Sequence, residues 1–466
     1  MLRGQCASGY VLRLIDGATG AVDPHIARRL HPLLACLHRS EGGKGGASMG
    51  RRMAPWWAAL VTVALVVSAC GGAAGEQDRS PIKIGFLLPL TGAFASNGKN
   101  EQNGFNLGLK DFGSTVNGRQ IKVSYLDTQA DPNVALSQAR ALIDNQNIDV
   151  LEGPLAANED AAVTAYAGPK GVPTDDLAMC AGIQLDYYQK FQNAYSSGWA
   201  CNQPAITAAD YALHDLHWKK IVTIGQDFSF GWLVVGGFAD AFKAGGGTIE
   251  KMLWAPNTTT DFSPYVSQIP TSGIDGVYAE LSGATAVRFT GAYQQFGLKG
   301  KVPLLGITQL TDYSSLPSEE PAAALGTLTG AQYCDGIDTP ENAKFTQGYK
   351  QQYGVYPGYY SDAGYAKARL LVTALQQLKG VTSNKKNVTK QLKATQIVAP
   401  RGPVKLSGAP AFSPIQNNYI CEVKQVNGEL RNVPIKTYKN VQPWGTLPQK
   451  TWEQGFKRYS SARPNT

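Results

Sequence analysis

The stretch IKIGFLLPLTGAFASNGKNEQNGFNLGLKDFG, residues 82–113, decides the fold class. Its first part, IKIGFLLPL, is an almost unbroken apolar run, which is typical of a parallel strand covered on both faces. In the second part, Phe105, Leu109 and Phe112 recur at i, i+4 and i+7 and form one stripe of a helix. The stretch therefore predicts a buried strand followed by an amphipathic helix.

The same alternation continues along the chain. Residues 121–129 and 148–154 predict strands, and Asp131-Pro132 is expected to cap and open the helix between them. The pattern restarts near Pro204 with a helix, followed by strands at 220–225, 276–283 and 302–307. We therefore expect an α/β protein with two doubly wound lobes rather than one large sheet.

The residues before this fold have the layout of an export signal. Arg51 and Arg52 precede an apolar run that is too short to span a bilayer comfortably. Residues 49–69 are therefore predicted to be a signal peptide, with the general secretory and twin-arginine routes both open. Residues 1–48 are interpreted as a mis-assigned start or a disordered extension.

Cys70 directly follows this predicted signal peptide. The sequence Val67-Ser68-Ala69-Cys70 resembles a bacterial lipobox, in which the signal is cut before the cysteine and the cysteine is lipidated. Cys70 would then be the first residue of an extracytoplasmic lipoprotein anchored to the cell membrane, with residues 70–80 as its lipidated tether. Ordinary cleavage at an A-x-A-like site, with Cys70 uninvolved, is the alternative.

The net charge of the chain bears on whether it binds nucleic acid. Of the 43 Lys/Arg and 35 Asp/Glu residues, eight and three precede Cys70, so residues 70–466 carry a net charge of +3. A balanced surface without a Lys/Arg cluster argues against nucleic acid as a partner.

Four cysteines follow Cys70, and an oxidising compartment favours their pairing in one of three ways. Zinc is the competing interpretation, but no CxxC spacing or nearby histidine supports it. The four are Cys180, Cys201, Cys334 and Cys421.

An enzyme would need a catalytic constellation. Beyond the leader the sequence has only His214 and His217, three apart on one predicted helix beside Asp215. It has no nucleophile elbow, HExxH motif or P-loop. We therefore expect a binding protein without catalytic residues, metal or cofactor.

Residues 81–435 resemble the type I periplasmic solute-binding proteins of the leucine/isoleucine/valine-binding class, which feed ABC importers. The resemblance rests on the order and spacing of IKIGFLLPLTGAFASNGKN, NGRQIKVSYLDTQADPNVALSQARALIDNQNIDVLEGP, KKIVTIGQDFSFG and YCDGIDTPENAKFTQGYKQQYGVYPGYYSDAGYAKARLLVTAL. It implies two lobes joined by hinge strands, with residues 81–203 and 335–417 in lobe I and residues 204–334 and 418–466 in lobe II. It also favours the disulfides Cys180–Cys201 and Cys334–Cys421, because each pair then falls within one neighbourhood of this fold.

The resemblance further implies a monomeric protein that delivers a small solute to the subunits of an ABC permease. The solute would be a branched-chain amino acid, an amide, or a small carboxylate or aromatic. A ligand sensor that presents its closed form to a membrane signalling receptor is the alternative. Adjacent permease and ATPase genes would favour import, and an adjacent histidine kinase gene would favour sensing.

The family's ligand positions fall on residues that mostly differ here. Asn97 replaces an aromatic residue, Ala157 or Asn158 replaces a carboxylate-binding serine, and Thr308 replaces the acid that pairs with the ligand's ammonium. Since an unpaired buried charge costs several kcal/mol, we expect a solute without a free ammonium. The predicted ligand-binding residues are Asn97, Ala157, Asn158, Phe230, Ser282 and Thr308.

Several of these residues have structural alternatives. Asn97 could be a turn residue and Asn158 a helix N-cap. Phe230 and its neighbour Trp232 could pack in the core. Glu280 could supply the missing charge or face away from the cleft, because strand neighbours alternate sides.

Overall fold

The computed structural model describes residues 79–92 and 94–465, which fall within one compact unit, Gln77–Thr466. The predictions for residues 1–48, for the signal peptide 49–69 and for Cys70 concern positions outside the described residues, as does nearly all of the tether. Within the described part of the chain, no helix combines the length and apolarity that a membrane crossing requires.

The first half of the chain forms a six-stranded sheet with helices between its strands. The strands are β1 (Ile82–Leu88), β2 (Thr115–Val116), β3 (Arg119–Asp127), β4 (Val150–Glu152), β5 (Thr174–Met179) and β6 (Ala194–Ala200). Their order is β2-β3-β1-β4-β5-β6, and only β2 is antiparallel to its neighbour. The helices are α1 (Ala95–Phe112), α2 (Pro132–Arg140), α3 (Ala157–Ala167) and α4 (Gly182–Phe191).

Local sequence explains these elements. The predicted stripe of α1 is directed inward, with Phe105 fully buried and Leu109 and Phe112 packed against the same core. The Asp131 carboxylate accepts hydrogen bonds from the N–H groups of Asn133 and Val134 at 2.8 and 3.0 Å. The predicted N-cap of α2 is therefore confirmed.

A nine-stranded sheet follows. Its parallel part consists of β7 (Lys220–Gln226), β8 (Thr248–Ala255), β9 (Gly276–Glu280), β10 (Leu304–Ile307) and β11 (Leu328–Ala331). The helices that accompany it are α5 (Gln203–His214), α6 (Ser229–Ala244), α7 (Ser263–Val266), α8 (Ala284–Gln295) and α9 (Pro321–Ala324).

The last third of the chain contributes to both lobes. Helices α10 (Pro340–Tyr353), α11 (Tyr359–Gln377) and α12 (Lys385–Ala394) come first, and α11 packs along α1. An antiparallel extension of the second sheet follows, made of β12 (Ile397–Ala399), β13 (Gly402–Leu406), β14 (Pro414–Val426) and β15 (Glu429–Val441). Helix α13 (Gln449–Tyr459) packs on α6.

The predicted two-lobed α/β architecture is confirmed. The exact division of the chain between the lobes stays a prediction. Strands β12 and β13, which fall in the segment 335–417 assigned to lobe I, pair through β14 into the nine-stranded sheet. They also contact α11 and α12, so this segment touches both lobes.

One predicted helix is shorter than expected. The helix predicted from near Pro204 was expected to carry both His214 and His217, but α5 ends at His214. His217 has a positive φ of 56°, which ends any helical path. The prediction that His214 and His217 share a helix is therefore wrong.

Both predicted disulfides are present. Cys180 and Cys201 have Cα atoms 5.1 Å apart, and those of Cys334 and Cys421 are 6.3 Å apart. The first disulfide joins the residue after β5 to the residue after β6. The second joins Cys334, in the loop that follows β11, to Cys421 within β14.

Candidate functional site

A cavity of about 50 Å³ lies between the two sheets. It is formed where strands end: the loops after β1 and β4, the end of β5, and the residues that follow β7 and β9 all reach it. Ligands of open α/β sheets bind at this edge. Its lining consists of Phe94, Leu155, Ala156, Ala157, Asn158, Leu177, Ala178, Cys180, Trp199, Phe228, Phe230, Ser282, Tyr359 and Tyr360.

Gly153 allows the loop after β4 to reach the cavity. It has φ +80°, and a Cβ at this position would lie 2.3 Å from the carbonyl oxygen of Leu87. Only glycine fits both the backbone conformation and the close approach to β1. The loop then leads directly into α3, whose first residues, Ala157 and Asn158, line the cavity.

Four of the six predicted ligand-binding residues line this cavity. They are Ala157, Asn158, Phe230 and Ser282. Asn97 and Thr308 are buried but are not among the lining residues. Thr308 begins a short 3₁₀ turn after β10, and its carbonyl oxygen accepts a hydrogen bond from the N–H of Thr311 at 3.1 Å.

Asn97 lies one layer behind the lining. It is part of α1, so the alternative that it is a turn residue is wrong. Its side-chain Nδ2 donates a hydrogen bond to the hydroxyl oxygen of Tyr360 at 3.0 Å. Since that oxygen accepts from Asn97, the Tyr360 O–H can be donated to another partner.

Asn158 is not the N-cap of α3, because the helix begins at Ala157 and Ala156 holds the N-cap position. The side-chain Nδ2 of Asn158 donates to the carbonyl oxygen of Ala130 at 2.9 Å. The Glu159 carboxylate accepts from the N–H of Ala156 at 3.1 Å. By helix geometry, the N–H groups of Ala157 and Asn158 have no partner within the helix.

The second lobe contributes two phenylalanines and a serine. The rings of Phe228 and Phe230 are 6.0 Å apart at the start of α6. The Ser282 hydroxyl donates to Oε1 of Gln226 at 2.9 Å. Trp232 is half-buried and is not a lining residue, and its Nε1 donates to Asp227 at 2.8 Å.

Sequence reasoning missed most of the aromatic wall. Phe94, Trp199, Phe228, Tyr359 and Tyr360 line the cavity but were not predicted to do so. The ring of Tyr359 meets that of Trp199 edge to face at 5.0 Å and lies 4.0 Å from Tyr360. The paired tyrosines in YPGYYSD were visible in the sequence, but an aromatic pair there equally indicates packing.

Glu280 is fully buried and is not a lining residue. Its Oε2 accepts a hydrogen bond from the N–H of Gln226 at 3.0 Å and lies close to Gly231 in the first turn of α6. Burial raises the pKa of Glu280 to about 8, against the opposing effect of the Gln226 bond. Glu280 therefore faces α6 and supplies no carboxylate to the cavity.

A buried cluster of acids surrounds one lysine in lobe I. Lys367 Nζ lies 3.1 Å from Glu152 Oε2 and 3.1 Å from Asp175 Oδ1, and all three side chains are essentially inaccessible. Burial raises the pKa of Glu152 to about 8 and that of nearby Glu101 to about 8, although Lys367 opposes both shifts. Burial also raises the pKa of Asp176 to about 7. This cluster belongs to the core of lobe I and adds no residue to the cavity lining.

The lining itself is uncharged. Among the described residues that line the cavity, none carries a carboxylate, ammonium or guanidinium group. The lining residues with polar side-chain groups are Asn158, Trp199, Ser282, Tyr359 and Tyr360. The cavity can therefore hold a largely apolar solute with a few hydrogen-bonding groups.

A protein-family model described as periplasmic binding protein matches residues 81–429. The chain belongs to this family. The predicted resemblance to solute-binding proteins of the leucine/isoleucine/valine class is thereby confirmed. The family binds solutes rather than transforming them, in agreement with the expectation of a non-enzymatic protein.

Individual members of the family are similar over most of their length. A Leu/Ile/Val-binding protein homolog 6 from Brucella melitensis is 29% identical over 390 residues, which cover 82% of this chain and 97% of the relative. An ABC transporter substrate-binding protein from Sphaerobacter thermophilus has a TM-score of 0.74 at 29% identity, covering 77% of this chain and 98% of its own.

A solute-binding protein of an ABC transporter from Rhodopseudomonas palustris BisB5 was solved in complex with 3,4-dihydroxybenzoic acid. It has a TM-score of 0.73 at 26% identity and covers 78% of this chain and 99% of its own.

Proposed function

We propose that this periplasmic binding protein is the lipid-anchored substrate-binding component of an ABC importer for small aromatic carboxylates. The observation that carries the ligand class is the lining, which combines an aromatic wall with hydrogen-bonding groups and no ionised side chain among the described lining residues. Five of the six predicted residues would take part in binding: Ala157, Asn158, Phe230 and Ser282 as contacts, and Asn97 through Tyr360. Thr308 lies behind the lining, in the turn after β10.

The absence of an acid from this lining argues against a free amino acid. A buried ammonium would lack a partner, which costs several kcal/mol. A carboxylate has donors available at the first turn of α3, where unpaired N–H groups and the helix dipole favour an anion. The polarity of the site thus favours an acid over an amine.

The aromatic wall favours a ring. Phe94, Trp199, Phe228, Phe230 and the two tyrosines can surround a flat ligand from both lobes, and ring pairs contribute about 0.5–1.5 kcal/mol beyond area burial. The bound 3,4-dihydroxybenzoic acid of the similar Rhodopseudomonas protein supports the same class. A para-hydroxyl on the ring would be a partner for the Tyr360 O–H.

Binding would require the lobes to move. The cavity of about 50 Å³ is smaller than the roughly 150 Å³ cavity that accepts benzene in another protein. An aromatic acid would therefore enter an opened cleft, and closure would bring Phe228, Phe230 and Ser282 onto a ligand already held by lobe I.

The membrane attachment rests on the sequence. The lipobox-like Val67-Ser68-Ala69-Cys70 would place a diacyl group at the N-terminus, and two chains suffice for stable anchoring. Wild-type protein should partition into detergent, and Cys70→Ser should leave the membrane fraction or stay uncleaved. Recovery of wild-type protein as a soluble form that begins at or after Gly71 would contradict the anchor.

A thermal-shift panel tests the ligand class. Benzoate, 4-hydroxybenzoate, 3,4-dihydroxybenzoate and benzamide are compared with leucine, isoleucine and valine at matched concentrations. A ligand at 100 times its Kd stabilises the folded state by about 2.7 kcal/mol, and we expect the benzoates to give the largest shift. Phe230→Ala should remove that shift, whereas Phe296→Ala, at an exposed position away from the cavity, should not. A largest shift from a branched-chain amino acid would overturn the proposal.

A further inference from the structure

Asp312 links the second sheet to the cavity tyrosines of the first lobe. It follows β10 and the turn Thr308–Leu310, and its side chain is almost fully buried. Its Oδ1 accepts a hydrogen bond from the N–H of Tyr359 at 2.7 Å, and its Oδ2 accepts from the N–H of Ser314 at 3.1 Å. Asp312 thus caps a helix that packs on α1 of the other lobe.

The capped helix is α11, which is 19 residues long. Its first N–H groups have no partner within the helix, and a carboxylate at this end satisfies one of them while interacting favourably with the helix dipole. Gly358 makes room for the contact, because a Cβ at that position would lie 2.2 Å from Asp312 Oδ1. The N-cap residue itself supplies no side-chain hydrogen bond.

The first two residues of α11 are Tyr359 and Tyr360, which both line the cavity. The peptide N–H that Asp312 holds belongs to Tyr359 itself. Asp312 is not among the lining residues. It therefore acts on a ligand through the position of the tyrosine pair and not by direct contact.

We propose that Asp312 is a positioning residue for ligand recognition, which fixes the Tyr359–Tyr360 pair of one lobe from the other. The identity of the ligand used to measure this role rests on the proposed function; the positioning itself does not. Without the carboxylate, the first turn of α11 loses its partner at Tyr359 and the rings lose their fixed place against Trp199. We expect the affinity for the aromatic acid to fall by about tenfold or more.

A double-mutant cycle measures the effect on binding. The Kd for 4-hydroxybenzoate is determined by calorimetry for wild-type protein, Asp312→Ala, Tyr359→Ala/Tyr360→Ala and the combination. Asp312→Ala should weaken binding about tenfold in the wild-type background and less than about twofold when both tyrosines are absent. Asp312→Asn, which keeps an acceptor oxygen, should restore most of the affinity. Equal losses in both backgrounds would overturn the proposal.

Glu429→Gln is the matched control, because Glu429 forms an exposed ion pair with Lys350 of α10 that also links β15 to the first lobe. It should leave the affinity within about twofold of wild type. If Asp312→Ala fails to fold, Gly358→Ala is the second variant. It retains Asp312 but pushes its carboxylate away from the start of α11, and it should cause the same loss of affinity. Wild-type affinity in Gly358→Ala would overturn the proposal.

Hydrogen exchange tests the positioning role of Asp312 in the absence of ligand. Asp312→Ala, or Gly358→Ala in its place, should accelerate exchange of the Tyr359 amide about tenfold or more, and Glu429→Gln should not. Unchanged exchange at Tyr359 would overturn the positioning role. If wild-type protein binds no aromatic acid, the proposed function fails, and the exchange result still decides the role of Asp312.

Discussion

The side chain of Asn97 donates a hydrogen bond to the hydroxyl of Tyr360 at 3.0 Å, across two helices that are far apart in sequence. Sequence reasoning placed Asn97 itself against the ligand. The structure places Tyr360 in the lining and Asn97 behind it. Because the Tyr360 oxygen accepts from Asn97, its O–H is left to donate to another partner.

Asn97→Leu should weaken binding of 4-hydroxybenzoate about three- to tenfold, because a hydrogen bond of this kind contributes about 0.5–1.5 kcal/mol. Binding of benzoate, which has no ring hydroxyl, should change less. Calorimetry with the two ligands checks the difference. Tyr360→Phe should erase the difference, and an equal effect of Asn97→Leu on both ligands would contradict this role.

Removal of the disulfides should destabilise the protein to different extents. The loops that they close span 21 and 87 residues, for which the chain-entropy model gives about 3 and 4.5 kcal/mol. Cys334→Ala/Cys421→Ala should therefore lower the free energy of unfolding more than Cys180→Ala/Cys201→Ala, as measured by urea unfolding. Only the latter pair should change ligand affinity, because Cys180 lines the cavity. A larger loss of stability for the shorter loop would contradict the model.

Thermal stability should rise as the pH falls from about 8 to about 5. Burial raises the folded-state pKa of Glu101, Glu152 and Glu280 to about 8, above the ordinary value of 4.5. The folded state therefore binds protons more tightly than the unfolded state in this pH window. The resulting stabilisation is complete below the pKa that these carboxyl groups have in the unfolded chain, and it is lost as the pH rises through their pKa in the folded protein. Tm measured at constant ionic strength checks the slope.

Glu280→Gln provides the control for this pH dependence. Glutamine keeps the size and one acceptor oxygen but cannot titrate, so the slope of Tm between pH 5 and 8 should become shallower. Replacing the exposed Glu250 by Gln should leave the slope unchanged. A Tm that increases from pH 5 to pH 8 in the wild-type protein would show that burial does not dominate these groups.

Lys367→Met should destabilise the protein by about 3–5 kcal/mol at pH 8, because it leaves Glu152 and Asp175 buried without their cation. The loss should shrink at pH 5, where the acids can take up protons. Adding Glu152→Gln and Asp175→Asn should recover part of the stability at pH 8. Denaturant unfolding at both pH values checks this, and a pH-independent loss would point to packing alone.

Much of the fold could be predicted because its parallel strands are apolar runs separated by striped helices. The apolar run around Ile84 predicts a buried strand and the apolar stripe through Phe105 predicts a helix, and both residues lie in the core. The antiparallel β12–β15 extension was not predicted, since β15 is mostly half-buried or exposed and carries no apolar run.

The candidate site was partly accessible to sequence reasoning. Ala157, Phe230 and Ser282 lie a few residues after β4, β7 and β9, so the order of elements brings them to one edge. Tyr359 and Trp199 meet only through packing between segments about 160 residues apart, and no local pattern encodes that meeting. The adjacent Asp175 and Asp176 in TDDLAM indicated the buried acid cluster of lobe I, because two acids inside a buried strand require partners.

The disulfide between Cys180 and Cys201 reaches the cavity wall through Cys180, which is one of the lining residues. Since such bridges form and persist in oxidising compartments, the wall reaches its final chemistry only where thiols are oxidised. Material produced in a reducing cytoplasm would carry two thiols beside Trp199 and a looser junction between the ends of β5 and β6. Oxidation of this cysteine pair would therefore complete the cavity wall only after the chain has left a reducing compartment.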